Sequence, residues 1–227
     1  MRKLTSAPAF RLLLVALALA APCLTTTPAA AEPAGAAAND DVLLAIKARL
    51  HTFEALQGKF EQEKQLAKIK KPLKSRGRFA LKRRQGVVWR TEAPIQSLLV
   101  MTRDAVRVIK NDKTVVSIDI SEQPGLRLMG KIVFAVFAAD VEEIRQSFEI
   151  VSGQAKAGVP WSVSLKPRDA TVAKVISRIS LTGGDHVETL EIVEQNTDIT
   201  RIRFADLDST HPLTDEDERL LGAPSKK

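Results

Sequence analysis

Residues 53–102 read FEALQGKFEQEKQLAKIKKPLKSRGRFALKRRQGVVWRTEAPIQSLLVMT, and this stretch decides the fold. Its first residues close a short amphipathic helix. From Phe60 onward, short apolar runs are separated by glycine, proline or polar turn residues, with strand-like runs at 77–82, 87–90 and 97–102. Runs of this length and spacing are typical of β-strands joined by tight turns. The stretch therefore predicts antiparallel hairpins.

Strand-like runs continue along the rest of the chain. They lie at residues 105–111, 114–120, 147–152, 161–166, 175–182, 187–194 and 200–205. The last two are separated by Gln195, Asn196, Thr197 and Asp198, which are residues that favour turns. About ten strands at close spacing indicate one large, strongly curved sheet. We predict a mainly β (α+β) fold built on a single antiparallel sheet.

An amphipathic helix precedes the strands. Asn39 or Asp40 is a candidate N-cap, and the apolar residues that follow share one side at helical spacing. That side must pack on the sheet. Its members are Val42, Leu43, Ile46, Leu50 and Phe53.

The N-terminal residues 1–31 have the features of an export signal that is removed. Basic residues come first, an apolar stretch follows, and Ala29, Ala30 and Ala31 provide a small-residue cleavage site. The apolar stretch is shorter than the roughly 20 residues of a membrane span. Cys23 is the single cysteine; Pro22 before it fits a lipoprotein signal poorly, so we expect Cys23 to leave with the signal. We predict a periplasmic protein without disulfides.

The remaining chain has the length of one domain. We predict a flexible leader at residues 32–39, a single domain at 40–213 and a polar C-terminal tail at 214–227. Four consecutive acidic residues, 215–218, follow the first residue of this tail.

The positive charge is concentrated in one region. The formal net charge of the whole chain is +7, and most of the excess lies between Lys59 and Arg90, which we call the basic stripe. An exported protein seldom meets nucleic acid, so an anionic lipid surface or an acidic protein is the better partner for this stripe. A merely solvated strand face is the alternative. The predicted anionic-partner patch is Lys68, Lys70, Lys71 and Lys74.

An unusually apolar segment lies between the two groups of strands. Residues 126–137 are apolar on nearly every side of a helix, and a polar turn follows through Glu142, Glu143 and Arg145. A helix that is apolar all round must be buried. On the concave face of a curved sheet it would act as a plug or lid, and an ordinary core helix is the alternative.

Catalytic chemistry has little support in the sequence. His51, His186 and His211 are scattered without metal-ligand spacing, and the sequence has no nucleophile elbow, phosphate-binding glycine loop or zinc motif. We expect all three histidines to be surface or helix residues. The sequence therefore predicts no enzyme, no cofactor and no metal.

The order of motifs in the opening stretch resembles the periplasmic outer-membrane lipoprotein carrier (LolA) family. The resemblance is carried by Phe60-x-Gln62, Gly77, Lys82-Arg83, Trp89 and Pro94, followed by an apolar strand with Leu99-Val100. Departures occur at Arg84, where the family has proline, and at Val87-Val88 before the tryptophan. The second half, including Trp161, resembles a divergent LolA-like branch.

The resemblance implies a half-open antiparallel barrel whose apolar hollow carries acyl chains, with lid helices over its concave face. Arg83 would then hold the lid closed. It also implies an acylated cargo, an inner-membrane donor transporter and an outer-membrane acceptor, with the carrier a monomer. Our predicted cavity residues are Trp89, Leu99, Met101, Val133, Phe134, Val136 and Phe137.

Two functions remain open from the sequence. One is a carrier or chaperone that shelters the acyl chains of a lipoprotein or lipid between the inner and outer membranes. The alternative is a non-catalytic docking or scaffold module of a lipid or exporter system, with a filled core and the basic stripe as its docking patch.

Overall fold

The computed structural model describes residues 36–110, 113–119 and 141–222, and it confirms the predicted fold class. Its eleven strands form one antiparallel sheet that does not close into a barrel. The strands are β1 (Ala55–Gln65), β2 (Leu73–Lys82), β3 (Gly86–Ala93), β4 (Ser97–Thr102), β5 (Ala105–Lys110), β6 (Lys113–Asp119), β7 (Phe148–Gln154), β8 (Trp161–Pro167), β9 (Ile176–Gly183), β10 (Val187–Glu194) and β11 (Ile199–Asp208).

Strand β1 joins the two halves of the sheet. The order across the sheet is β6-β5-β4-β3-β2-β1-β11-β10-β9-β8-β7, so β1 pairs with β2 on one side and β11 on the other. All other neighbours in the sheet are consecutive in sequence, as expected for hairpins. The edge strands are β6 and β7, and residues 120–140 join β6 to the helix before β7.

Four helices belong to the described part of the chain. They are α1 (Ala36–Arg49), α2 (Val141–Ser147), α3 (Ala170–Ala173) and α4 (Asp215–Gly222). Asp169 caps α3, because its side chain accepts hydrogen bonds from the backbone N–H groups of Thr171 and Val172.

Helix α1 differs from its prediction at both ends. It already includes Ala36, so Asn39 and Asp40 lie inside the helix and the predicted N-cap at either residue is wrong. Alanine has the highest helix propensity, and the Ala36-Ala37-Ala38 run explains the earlier start. At the other end, α1 stops at Arg49, and the His51 amide donates to the carbonyl of Asp185 in the β9–β10 turn. Leu50 and Phe53 therefore follow the helix, although both still pack on the core.

The main hydrophobic core lies on one face of the sheet, which we call the inner face. Strand alternation places Leu56 and Phe60 of β1, Phe79 of β2 and Phe204 of β11 on this face. Leu43 and Ile46 of α1, with Val141 and Ile144 of α2, pack into the same core and are at most 5 % exposed. This core is contiguous from the helices to β5.

A smaller core lies on the opposite, outer face, where helix α4 covers part of the sheet. Ala80 of β2 and Val88 of β3 pack there against Leu213 and Leu221. Polar contacts fix the helix as well: Lys82 donates to both carboxylate oxygens of Glu218, at 2.6 and 2.7 Å. Residues 215–222, which we predicted as part of a polar tail, thus form a helix that is packed on the sheet.

Candidate functional site

Four aromatic rings meet on the inner face near the centre of the sheet. Trp89 stacks on Phe60 with ring centroids 3.9 Å apart and an interplanar angle of 25°. Phe79 lies 6.1 Å from Trp89, and Phe204 meets both Phe79 and Trp89 edge-on, at 5.3 and 6.2 Å. The separations of 5.3–6.2 Å are in the range of favourable aromatic pairs, and the stacked Phe60–Trp89 pair is closer still. We call this group the aromatic floor.

The three predicted wall residues that the structure describes share the inner face. Trp89 of β3 pairs directly with Leu99 of β4, and Val87 of β3 pairs with Met101. Met101 is buried, whereas Trp89 and Leu99 are only partly buried. The structure therefore groups these three side chains and places them next to the aromatic floor.

The inner face is filled unevenly. Over β7 it is covered by α1 and α2, and the residues Phe148, Trp161 and Leu165 of β7 and β8 are fully buried. Across the middle and the other half of the sheet, several inner-face apolar side chains keep part of their surface exposed. They are Trp89, Leu99, Ile118, Leu190 and Ile192. The described part of the chain thus leaves apolar surface accessible on the side of the sheet away from α1.

The predicted lid lies outside the described residues. This applies to Val133, Phe134, Val136 and Phe137 and to the whole apolar segment 126–137. Arg83, the predicted latch, lies in the β2–β3 turn, where its backbone N–H donates to the carbonyl of Glu54 at 2.8 Å. Its side chain is partly exposed, and it makes no ion pair with the part of the chain that the structure describes.

The basic stripe is divided by ion pairs. Within the described ranges, six of its cations have carboxylate partners: Lys59, Lys64, Lys74, Arg78, Lys82 and Arg90. Two of these, Lys82 and Arg90, hold the acidic first turn of α4. The stripe is therefore not one continuous docking surface, because part of it is neutralised within the chain.

A separate cluster of exposed cations lies at the β1–β2 hairpin, where Lys74 alone has a carboxylate partner among the described residues. Lys68, Lys70 and Lys71 are exposed in its turn, and Lys74 is exposed next to it with Glu63 3.4 Å away. Two large apolar side chains are exposed in the same turn region, Ile69 at 47 % and Leu73 at 45 %. We call these residues the hairpin tip.

Sequence reasoning missed a polar group on the inner face. Lys64 is 3 % exposed, and its Nζ lies 2.7 Å from Oε1 of Glu194. Gln62 and Thr200 are also buried close to this pair. The lysine at an otherwise apolar inner position was the available signal, but its partner is 130 residues away in the sequence.

Two of the histidines approach each other in space, although they are far apart in the sequence. The rings of His51 and His186 lie 5.6 Å apart, edge to face, and Phe53 packs against His186 at 6.1 Å. Among the described residues no group of three or more His, Cys, Asp or Glu side chains is placed to hold a metal ion. Nor does the same part of the chain contain a helix with the length and apolar character needed to cross a membrane.

Burial of His186 makes the stability of the fold depend on pH. Desolvation lowers the pKa of His186 below its ordinary value of 6.5, and the nearby His51 adds to this effect, while Asp185 and Glu188 oppose it. As the pH falls below about 6.5, the unfolded chain binds this proton before the folded chain does. We therefore expect the free energy of unfolding to fall between pH 7.5 and 5.5, and His186→Phe to remove part of that fall. Urea titrations at a series of pH values measure this; an unchanged pH dependence in the variant would contradict it.

Comparison with known proteins gives one family match. The family model described as outer membrane lipoprotein carrier protein LolA matches residues 51–217. No curated protein sequence matches the chain.

Several solved structures are similar to this chain at low sequence identity. A LolA superfamily protein from Nitrosomonas europaea has 9% identity and a TM-score of 0.42, covering 78% of this chain and 96% of its own. A DUF1329 family protein from Desulfovibrio piger has 9% identity and a TM-score of 0.44, with 79% and 95% covered. The Mycobacterium tuberculosis lipoprotein LppX has 12% identity and a TM-score of 0.38, with 79% and 100% covered.

Proposed function

Because the chain belongs to the outer membrane lipoprotein carrier (LolA) family, we propose that it shelters the acyl chains of a lipoprotein or lipid on its inner face. In this proposal it is a periplasmic carrier without catalytic activity, and it moves its cargo from the inner to the outer membrane. The cargo would come from an inner-membrane donor transporter and pass to an outer-membrane acceptor.

The observation that carries the proposal is the partly exposed apolar inner face beside the aromatic floor. Trp89 and Leu99 lie on it in direct cross-strand register, and both retain exposed surface. Each buried methylene contributes about 0.8 kcal/mol, so a long acyl chain placed here could gain roughly 10 kcal/mol. Such a gain is sufficient for capture. Release to an acceptor then requires the carrier to change conformation or give up contacts.

The segment before α2 completes the proposed hollow. We propose that Val133, Phe134, Val136 and Phe137 contact the lipid or cap its cavity, and that Arg83 holds this cap closed. The support is the apolar sequence of residues 126–137. The topology is a second support. Residues 120–140 connect β6, one edge strand of the sheet, to α2, which precedes β7 at the other edge.

The hairpin tip is suited to an anionic membrane surface. We propose that Lys68, Lys70, Lys71 and Lys74 bring the carrier to such a surface while Ile69 and Leu73 contact its interface. Each lysine near an anionic leaflet contributes about 1 kcal/mol. Exposed apolar side chains among the lysines add burial that a purely solvated turn would not provide.

The proposed function predicts that lipid accompanies the purified protein. We expect the chain from Glu32 onward, prepared without detergent, to yield a stoichiometric acylated species by mass spectrometry of its extract. Phe134→Glu should remove this lipid, because a carboxylate in an apolar hollow is costly. Ile95→Glu is the matched control: Ile95 is 68 % exposed, so the same change there should leave the lipid in place.

One outcome would contradict the carrier function, and another would contradict only the proposed role of Phe134. An empty protein that also fails to bind a fluorescent fatty acid would favour the docking or scaffold module instead. Full lipid retention in Phe134→Glu, with the sheet folded by circular dichroism, would show that Phe134 neither contacts nor caps the lipid.

A further inference from the structure

A buried polar group interrupts the apolar inner face at the end of β1. Gln62 and Lys64 follow Phe60 on the same face, and Thr200 of β11 is the direct cross-strand partner of Lys64. Gln62, Lys64 and Thr200 are 7 %, 3 % and 0 % exposed. With Glu194, the partner of Lys64, they form what we call the inner polar group.

Two side-chain oxygens of this group lack a hydrogen-bond partner in the part of the chain that the structure describes. Lys64 and Glu194 satisfy one another at 2.7 Å. By contrast, Oε1 of Gln62 and Oγ1 of Thr200 are both buried and have no hydrogen-bond partner within the described residues. Buried polar atoms in native proteins are nearly always paired, so two unpaired ones on the same face call for an explanation. A ligand that supplies the missing bonds is one.

We propose that the inner polar group is a subsite for the neutral, hydroxyl-bearing headgroup of the acylated ligand. One ligand hydroxyl would donate a hydrogen bond to Oε1 of Gln62, and a second ligand hydroxyl would form a hydrogen bond with Oγ1 of Thr200. This inference rests on the proposed function, because it assigns the polar end of the lipid whose acyl chain the inner face shelters.

Charge determines the class of headgroup. Lys64 and Glu194 neutralise each other at contact distance, so the subsite carries no net charge. A phosphate or carboxylate headgroup would have to leave water without gaining a free cation. An uncharged glycerol or sugar headgroup avoids this cost.

The spacing and the surroundings fit such a headgroup. Gln62 and Thr200 are diagonal neighbours on adjacent strands, for which separations of about 7–8 Å are usual. Two hydroxyls of one glycerol or sugar unit can therefore reach both. Leu190 and Ile192, the cross-strand partners of Ile202 and Thr200, are partly buried inner-face residues. They provide an apolar start for the acyl chain beside the headgroup.

The test compares two uncharged probes with the same acyl chain, 1-monolauroylglycerol and methyl laurate, by displacement of a fluorescent fatty acid. They differ by the CH(OH)CH2OH unit of the glycerol, which carries the two hydroxyls. We expect the wild-type chain to bind the monoglyceride about tenfold more tightly. The ratio of the affinity for the monoglyceride to that for methyl laurate should fall close to one in the double variant Gln62→Leu with Thr200→Val. Its affinity for methyl laurate should be unchanged or higher. Ile192→Val, on the same face, should alter both affinities and keep the ratio.

The outcomes separate this inference from the proposed function. A wild-type ratio near one, or the same ratio in the double variant, would overturn the headgroup subsite and leave the two atoms as unpaired core groups. If methyl laurate itself does not bind the wild-type chain, the proposed function fails, and this inference with it. Should the double variant not fold, each single variant is expected to lose part of the ratio, and an unchanged ratio in both would equally overturn the subsite.

Discussion

Lys64→Met is expected to lower the free energy of unfolding by about 3–5 kcal/mol, one of the two largest effects that we predict. The side chains of Lys64 and Glu194 are only 4 % and 11 % exposed, and their charged atoms lie 2.7 Å apart. Removing the lysine leaves a carboxylate buried without its cation. The measurement is urea unfolding followed by the fluorescence of Trp89 and Trp161.

Two controls isolate the stranded charge as the cause. Lys64→Met combined with Glu194→Leu should recover most of the loss, since apolar replacement of a buried pair is often neutral or stabilising. Lys74→Met is the exposed counterpart: the side chains of Lys74 and Glu63 are 74 % and 40 % exposed, so its loss should stay below about 1 kcal/mol. A double variant as unstable as Lys64→Met alone would contradict the explanation.

The buried pair of Lys64 and Glu194 also explains why the alternation of apolar and polar residues did not reveal β1. Gln62 and Lys64 occupy inner positions at which period-two reasoning expects apolar residues. A lysine can be buried in a strand when a carboxylate from another strand meets it, and here that carboxylate comes from β10. Nothing local to residues 55–65 encodes this partner.

Helix α4 illustrates the same limit on the outer face. Its eight residues begin with four acidic side chains, a pattern that in isolation indicates a solvated tail. The helix is held because the sheet supplies Lys82 and Arg90 for the carboxylates and Ala80 and Val88 for Leu221. These partners lie more than a hundred residues earlier, so only the folded sheet brings them together.

One part of the candidate site could be predicted from residue spacing alone, namely which residues of β3 and β4 share a face of the sheet. Leu99 and Met101 are two residues apart on one strand, so they must share a face, and the short turn after Trp89 brings β3 against β4. The pattern could not decide which face is inner, because Leu98 and Val100 are equally apolar. That choice depends on which face α1 and α2 cover and which face receives α4.

Gly77→Ala is the second change expected to have a large effect, with a loss of more than about 4 kcal/mol in the free energy of unfolding. A Cβ at Gly77 would lie 1.9 Å from the backbone carbonyl oxygen of Arg90 on β3 and 3.0 Å from the ring of Phe60. Strand β3 approaches β2 closely here, next to a register shift between Arg76 and Gly77. Alanine would force the two strands apart, and Trp89 would lose its place over Phe60.

The clash with the backbone, rather than the contact with the ring, should cause the loss. Urea unfolding of Gly222→Ala gives the baseline, since a Cβ there meets nothing within 4 Å and its effect should stay within about 0.5 kcal/mol. Phe60→Leu would free space beside the ring but leave the carbonyl of Arg90 where it is. We therefore expect Gly77→Ala to lower the free energy of unfolding by nearly the same amount in the Phe60→Leu background as in the wild-type chain. If Phe60→Leu instead rescued the alanine, the aromatic floor rather than the β2–β3 approach would be what demands glycine at this position.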